Sequence, residues 1–418
     1  MENRFYQVQL FLLCLTAFVL PLYIKLTSIT LGILFLMSFV YRKPRNAVLK
    51  KLKSIGLWLY LLPIIVAIAG LAFSDNFQNG LDRITVLSSM FFFVVIFAAF
   101  DANTIANRYQ YIHSFFVMGI VAAFFLCLGL AYLNYSYTPR QDYFFYSRLS
   151  SAIMSPNHLS NYVLWAIILL LTDLSGMANN FVLYNSAFYK IVLLVLLIIF
   201  LFLLASKAAF LIFCVLMVLF VSLLIAKRII PWAHAIVLIV IMSMLGLYLY
   251  ESTNIKGRLD FAYKVLESDP QKRAASPEST ALRISAFEAS KNIIHKNIWL
   301  GVGTGNVQQS MIEYYKNTCK SGAYVHQTNP HNQYLFSWIM NGVFGIAALL
   351  LMFFVMMKQA IVTKNALFVF WNVNMIFMFF TDDLLTIQIG VVFFAFYSAM
   401  YLTGKKESII MSNETLLR

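Results

Sequence analysis

The feature that most constrains this chain is its succession of apolar runs, each near the roughly 20 residues an α-helix needs to cross a bilayer. One long polar excursion interrupts them, from about Glu251 to Pro330. Leu, Ile and Phe fill the runs without regular polar alternation, so barrel strands are not indicated, and helices are the open-ended way to satisfy every backbone group in lipid. Only 11% of the residues are charged and 61% are hydrophobic, whereas a soluble domain carries roughly 25% charged residues. A soluble fold would need an interior too large for its surface. The expected fold is an all-α polytopic integral membrane protein, a single membrane domain over residues 1–418.

Spans are expected near 8–24, 27–41, 55–73, 84–101, 111–132, 152–172, 183–205, 208–226, 231–250, 332–355, 365–380 and 384–402, about 12 in all. The turn at Ser206–Lys207 either separates the seventh and eighth spans or breaks one long helix. With the N-terminus cytoplasmic, the basic residues Arg42, Lys43, Arg45, Lys50, Lys51 and Lys53 fall inside, as do Lys227, Arg228, Lys358, Lys364, Lys405 and Lys406. Asp75, Asp82, Asp382 and Asp383 then fall outside, both termini are cytoplasmic, and the 251–330 loop between helices 9 and 10 faces the outside or the periplasm. Topology accounts for much of the +14 net charge, and no basic stripe interleaved with aromatics asks for a nucleic acid. The first apolar run lacks a small-residue cleavage site and reads as a retained signal anchor. Cys14, Cys127 and Cys214 lie in spans, leaving Cys319 alone in the outer loop, so neither an intramolecular disulfide nor a cysteine metal site is expected.

Within the polar excursion, Leu282, Ala286, Ala289 and Ile293 recur at helical spacing, which predicts a helix from about Ser279 to Asn297. The turn Gly301–Val302–Gly303–Thr304–Gly305–Asn306 follows. Glycine-rich turns can cradle phosphate, but this one lacks the Lys-Ser/Thr ending and the preceding strand of nucleotide-binding motifs. It reads as a tight turn bringing backbone close to the membrane helices.

Arg283 on that helix, Arg148 before the sixth span, Lys207 at the end of the seventh, and His331 and Asn332 where the loop re-enters the membrane all fall on one side of the bilayer. Two arginines, a lysine and a histidine at one face suit an anionic, lipid-linked substrate, since guanidinium groups fork onto phosphoryl oxygens and imidazole exchanges a proton near neutrality. Taken singly, each has a plainer reading: Arg148 and Lys207 as interfacial anchors, His331 as a helix-start hydrogen-bonding group, Arg283 as a solvated helix residue. Asn157 and His158 follow Pro156 at the start of the sixth span, where a structural or substrate-groove role outweighs proton transfer. His295, His326 and His331 show no HExxH pattern and no acidic partner, so no metal is expected.

The ordered text is more specific than these residues alone. Arg148 leads into Ser155–Pro156–Asn157–His158–Leu159, and Arg283 precedes Asn297–Ile298–Trp299–Leu300 and the glycine turn; then come Pro330–His331–Asn332–Gln333–Tyr334–Leu335 and Asn341–Gly342–Val343–Phe344–Gly345. This arrangement resembles the O-antigen ligase and polymerase family of bacterial membrane glycosyltransferases, most diagnostically over 148–345. The resemblance implies a GT-C-like architecture in the inner membrane and a periplasmic active site. It implies an undecaprenyl-pyrophosphate-linked glycan as donor, with lipid A core or another lipid-linked glycan as acceptor, and no metal or nucleotide cofactor. By the same resemblance Arg148 and Arg283 look like the arginines that hold the donor pyrophosphate, and His331 like the histidine that assists the acceptor hydroxyl. Lys207 stands where members commonly carry an arginine, keeping the charge but losing the fork. Asn332, His158 and Asn157 join Lys207 as expected substrate-binding residues.

Direct displacement at the anomeric carbon would invert it, and neither Glu278 nor Glu288 is a matched carboxylate nucleophile. A ligase is the favoured reading, a polymerase extending a lipid-linked glycan the alternative, and a lipid-linked glycan transporter or a non-catalytic scaffold the readings from other classes. A transporter would be expected to place ionisable residues or broken helices near midmembrane.

Overall fold

The computed structural model describes residues 2–40, 42–99, 108–184, 186–231 and 254–404, and among them no strand forms. The first helices are α1 (Glu2–Val19), α2 (Ile24–Val40), α3 (Arg42–Lys51), α4 (Ile55–Ala69), α5 (Phe77–Ala99) and α6 (Tyr109–Tyr137). The short α7 (Tyr146–Ser150) precedes α8 (Pro156–Leu174), α9 (Ala187–Leu204) and α10 (Lys207–Ala226). The polar excursion folds as α11 (Asn254–Glu267), α12 (Pro270–Ala275), α13 (Ser279–Lys296), α14 (Val307–Asn317) and α15 (Ser321–Val325). Finally come α16 (Gln333–Val362), α17 (Ala366–Thr381) and α18 (Gln388–Thr403).

Among the described residues, six helical segments are long and apolar enough to cross a membrane, or up to seven if Ile24–Val40 and Arg45–Lys51 form one broken span. Shorter apolar helices occupy Arg4–Val19, Ala366–Thr381 and Gln388–Thr403. The expected span near 231–250 lies outside the described residues. The seventh and eighth expected spans are separate helices, because Ala205 takes a left-handed conformation (φ 44°) and the Ser206 hydroxyl accepts a hydrogen bond from the Ala209 amide to start α10 afresh.

The bundle is built by packing α16 on α4, α18 on α5, α6 on α1 and α9 on α8. Aromatic side chains fill its centre. Phe393 stacks on Tyr162 with ring centroids 3.8 Å apart, and the fully buried Trp165 and Trp371 meet edge to face at 4.9 Å. The Trp371 indole N–H donates to the Ser398 hydroxyl (2.9 Å), so this polar handle is satisfied inside the apolar layer.

The longest helix, α16, is broken at Asn341 (φ −135°, ψ 23°) and Gly342 (φ 61°, ψ −149°). The glycine turn fills the break. The Val302 amide donates to the Ile339 carbonyl (2.8 Å), the Gly303 amide to Met340 (3.0 Å), and the Val343 amide to Ile298 (2.9 Å). A Cβ at Gly342 would lie 2.1 Å from the Trp299 carbonyl oxygen, and one at Gly303 2.6 Å from that of Phe73. The expected tight turn against the membrane helices is therefore what forms.

The turn also gathers loops at one end of the bundle. The Gly305 amide donates to the Ser74 hydroxyl (2.7 Å), the Asn306 carboxamide to Asp75 (3.1 Å), and the Thr304 hydroxyl to the Ala67 carbonyl (2.6 Å). At the opposite end the Lys51 ammonium donates to the Thr403 carbonyl (3.0 Å). Asp75 and Lys51, assigned to opposite sides by the charge pattern, lie at opposite ends of the bundle.

Gly342→Ala is expected to lower the melting temperature measured in detergent, since its backbone region admits essentially only glycine, at a cost of about 1–3 kcal/mol for other residues. Gly129→Ala, where a Cβ meets nothing within 4 Å, is the control expected to hold it.

Candidate active site

The chain enters α16 through His331, Asn332 and Gln333, and each has a distinct local task. Asn332 caps the helix by accepting the Leu335 amide (3.0 Å), while its carboxamide donates to the Phe380 carbonyl at the end of α17 (3.2 Å). Buried Gln333 accepts the Leu385 amide (2.7 Å), tying the 382–386 loop to the same helix start. His331 sits at φ 47°, in the left-handed region that costs a non-glycine residue about 1–2 kcal/mol. The two tethers hold the Asp382–Asp383 loop against its ring.

His331 Nδ1 lies 3.5 Å from Asp382 Oδ1 and 3.9 Å from Asp383 Oδ1. The other Asp382 oxygen lies 4.0 Å from Nδ1 of the buried His158, so one carboxylate stands between two imidazoles. His331 itself is half-buried. Burial alone would lower its pKa, but the Asp382 hydrogen bond and the charges of Asp383 and Asp382 outweigh it, with Arg283 opposing, and the net shift is upward. Burial alone would raise Asp382, yet the His331 hydrogen bond and the charges of His158 and His331 hold it below the usual carboxylate range. Asp383 moves the other way: burial, then repulsion from Asp382, raises it well above an ordinary carboxylate. The pair therefore divides its labour: Asp382 is the more readily ionised member, held against the histidine, and Asp383 the one that resists ionisation.

The expected cations occupy three settings. Arg283, on α13, is near enough to His331 for its charge to act on the ring, and among the described residues it forms no ion pair. Lys207 is held by the α13 N-terminus: its ammonium lies 3.5 Å from Glu278 and donates to the Thr280 hydroxyl (3.2 Å). Glu278 in turn accepts the Thr280 and Ala281 amides (2.6 and 3.3 Å), a capping role that leaves it committed. Arg148 pairs with Asp142 (2.9 Å) and lies over the Tyr143 ring at 5.5 Å. No contact joins Arg148 to His331, although its short helix packs on α8 and α9. Asn157, beside His158, accepts the Ser206 hydroxyl (2.8 Å), joining the start of α8 to that of α10.

The expected absence of an acidic partner is corrected at His331, which meets Asp382 and Asp383 about fifty residues on in sequence. His331, Asp382 and Asp383 offer ligand atoms all within 4.8 Å of one another, residue types that can also accept a divalent cation. Arg83 was likewise overlooked. Its guanidinium donates to the Thr386 carbonyl (2.7 Å) and lies over the Phe336 ring at 4.8 Å. The one sequence signal for Asp382, Asp383 and Arg83 was their position beside span ends.

Fold and site together define a helical membrane protein whose ionisable residues meet at one end of the bundle. Residues 192–350 match the model of a family described as O-antigen ligase, which places this part of the chain in the O-antigen ligase and polymerase family of bacterial membrane proteins. That family implies a glycosyltransferase-like enzyme working on lipid-linked glycans. No curated protein matches the chain. The matched region holds Lys207, Arg283, His331 and the glycine turn; Arg83, Arg148, His158, Asp382 and Asp383 lie outside it.

NMR titration of the His331 ring should give a midpoint above the ordinary 6.5. Asp382→Asn should bring it down, since a raising partner is lost while burial remains. A midpoint indifferent to that substitution would remove Asp382 as the cause.

Proposed function

We propose that the chain is an O-antigen ligase-type glycosyltransferase, moving a glycan from undecaprenyl pyrophosphate to a sugar of the lipid A core at the periplasmic face of the bacterial inner membrane. On this reading both termini are cytoplasmic, as the basic residues of the short loops suggest. The observation that carries this reading is a carboxylate-backed histidine within electrostatic reach of an arginine that, among the described residues, forms no ion pair.

Nδ1 of His331 faces Asp382, so the productive tautomer keeps its proton there and leaves Nε2 as the base. The acceptor hydroxyl oxygen forms a bond to the anomeric carbon while its proton passes to Nε2. The bond from that carbon to the pyrophosphate breaks, and its electron pair leaves with the lipid pyrophosphate. Arg283 meets the charge that develops on the leaving group, where a fixed donor helps most. Arg148 and Lys207 extend the anion site. The Arg148–Asp142 pair is over 40% exposed on both sides and so is weak enough to be exchanged for phosphoryl oxygens.

The reading takes the reaction as a single inverting displacement. Glu278 is spent on a helix cap and Lys207, Glu288 pairs with Lys320 at 2.5 Å, and Asp382 and Asp383 are buried around the histidine. No metal is required, because the pyrophosphate already activates the sugar. Asn332, Asn157 and His158 support the site from behind: Asn332 sets the start of α16, Asn157 joins two helix ends and His158 flanks Asp382.

Purified protein given the lipid-linked glycan with lipid A core, or with a second lipid-linked glycan, should modify the former, as read by mass spectrometry. Lengthening of the lipid-linked chain instead would make it a polymerase. His331→Ala should lower kcat by about 10²- to 10⁴-fold with donor binding largely kept, and Arg283→Ala should weaken donor binding as well as turnover, by about 10²- to 10³-fold in kcat. Because His331 must be neutral to act, the wild-type rate should rise with pH through a midpoint above 6.5. Chelation with EDTA should leave the rate unchanged; loss restored by a divalent cation would instead make His331, Asp382 and Asp383 its ligands.

A further inference from the structure

A cavity of about 320 Å³ lies between the start of α5, the glycine turn, the start of α14 and Thr386, the last of which links it to Asp383 and His331. It sits at the small end of the about 300–1,000 Å³ range of small-ligand sites. Asn79, Asp82, Arg83, Gln308 and Thr386 supply its polar lining. The wall is continuous with the reacting groups: Arg83 donates to the Thr386 carbonyl (2.7 Å), and the Thr386 hydroxyl donates to the Asp383 carbonyl (2.7 Å) and lies 3.2 Å from the Asp383 carboxyl. Asp383 in turn lies 3.9 Å from His331.

The chemistry of the lining selects the ligand. The glycine turn does not cradle phosphate here, because its amides are already used: Val302 and Gly303 donate into the α16 break, Thr304 donates to the Gly70 carbonyl (3.3 Å) and Gly305 donates to Ser74. The Asp82 carboxylate would also repel an anion. One guanidinium, one carboxylate and two carboxamides instead present donors and acceptors in near balance, the arrangement that vicinal hydroxyls can satisfy from both sides. Arg83 is held flat by Phe336 and Thr386, and Asn79 and Asp82 are exposed to an incoming ligand.

We propose that this cavity is a glycan subsite taking one uncharged, hydroxyl-rich pyranose unit and holding it beside the His331 centre. The inference rests on the glycosyltransferase reading for its substrate class. The unit belongs either to the transferred glycan or to the accepting one, and the two are separable by experiment.

The test uses full-length protein in detergent and two probes: the free oligosaccharide released by mild acid from the host's lipid-linked glycan, and delipidated core oligosaccharide. Saturation-transfer NMR should show one of them bound, with Asn79→Ala and Asp82→Asn each weakening it about tenfold, the scale of one lost hydrogen bond. KM for the substrate carrying that oligosaccharide should rise by a similar factor while kcat and the pH midpoint hold. Both variants should melt as wild type. Binding of the first probe assigns the subsite to the donor, and of the second to the acceptor. If neither probe binds, or if binding and KM ignore both substitutions, the subsite is overturned. Cavity-dependent binding in a protein that transfers glycan to no acceptor would keep the subsite and overturn the glycosyltransferase reading.

Discussion

A break in a membrane-crossing helix exposes peptide groups that lipid cannot satisfy, and the break in α16 at Asn341–Gly342 governs much else in this structure. Its freed carbonyls and amide are met by Ile298, Val302 and Gly303 from the polar segment, at 2.8 to 3.0 Å. These three bonds fasten the segment to the bundle at a single register. Thr304 and Asn341 reach the last turn of α4 from the same place, the Asn341 carboxamide donating to the Val66 carbonyl at 2.5 Å. Once that seam is closed, α13 and the start of α16 are held over the same end of the bundle, and Arg283 and His331 are brought within electrostatic reach.

The seam positions the cation and the base, but the carboxylates arrive from elsewhere. Asp382 and Asp383 follow α17, and buried Gln333 draws them in by accepting the Leu385 amide. A carboxylate this deep is tolerated because its Oδ1 is met by the His331 ring (3.5 Å) and accepts the Asp383 amide (3.0 Å). The site is thus assembled from segments distant in the chain, Arg83 joined to Asp383 through Thr386 and Lys207 joined to Glu278. Its precision depends on the bundle rather than on any one loop.

Much of this frame was legible in the sequence. Apolar runs near 20 residues marked helices because lipid leaves the backbone few choices, and the helix expected from Ser279 ends at Lys296, one residue before Asn297. The glycine turn was readable as a close approach, since several glycines followed a helix stop and no phosphate motif completed it. Asp382 and Asp383 were hidden by their own plausibility: two acids after an apolar run look like topology markers, and only tertiary contact distinguishes a loop acid from a partner for His331. Arg148 differs: its place in a recognisable motif suggested a donor-side role, and its partners in the structure, Asp142 and Tyr143, are local.

The left-handed backbone at His331 acts as a filter on which residue can stand there. Glycine, asparagine, aspartate and histidine visit that region more readily than other residues. Glycine and asparagine have no side chain that takes up a proton near neutrality, and aspartate would set a third carboxylate beside two already buried. Histidine alone meets both the conformational and the electrostatic condition, so drift at this position has very few routes that preserve a base.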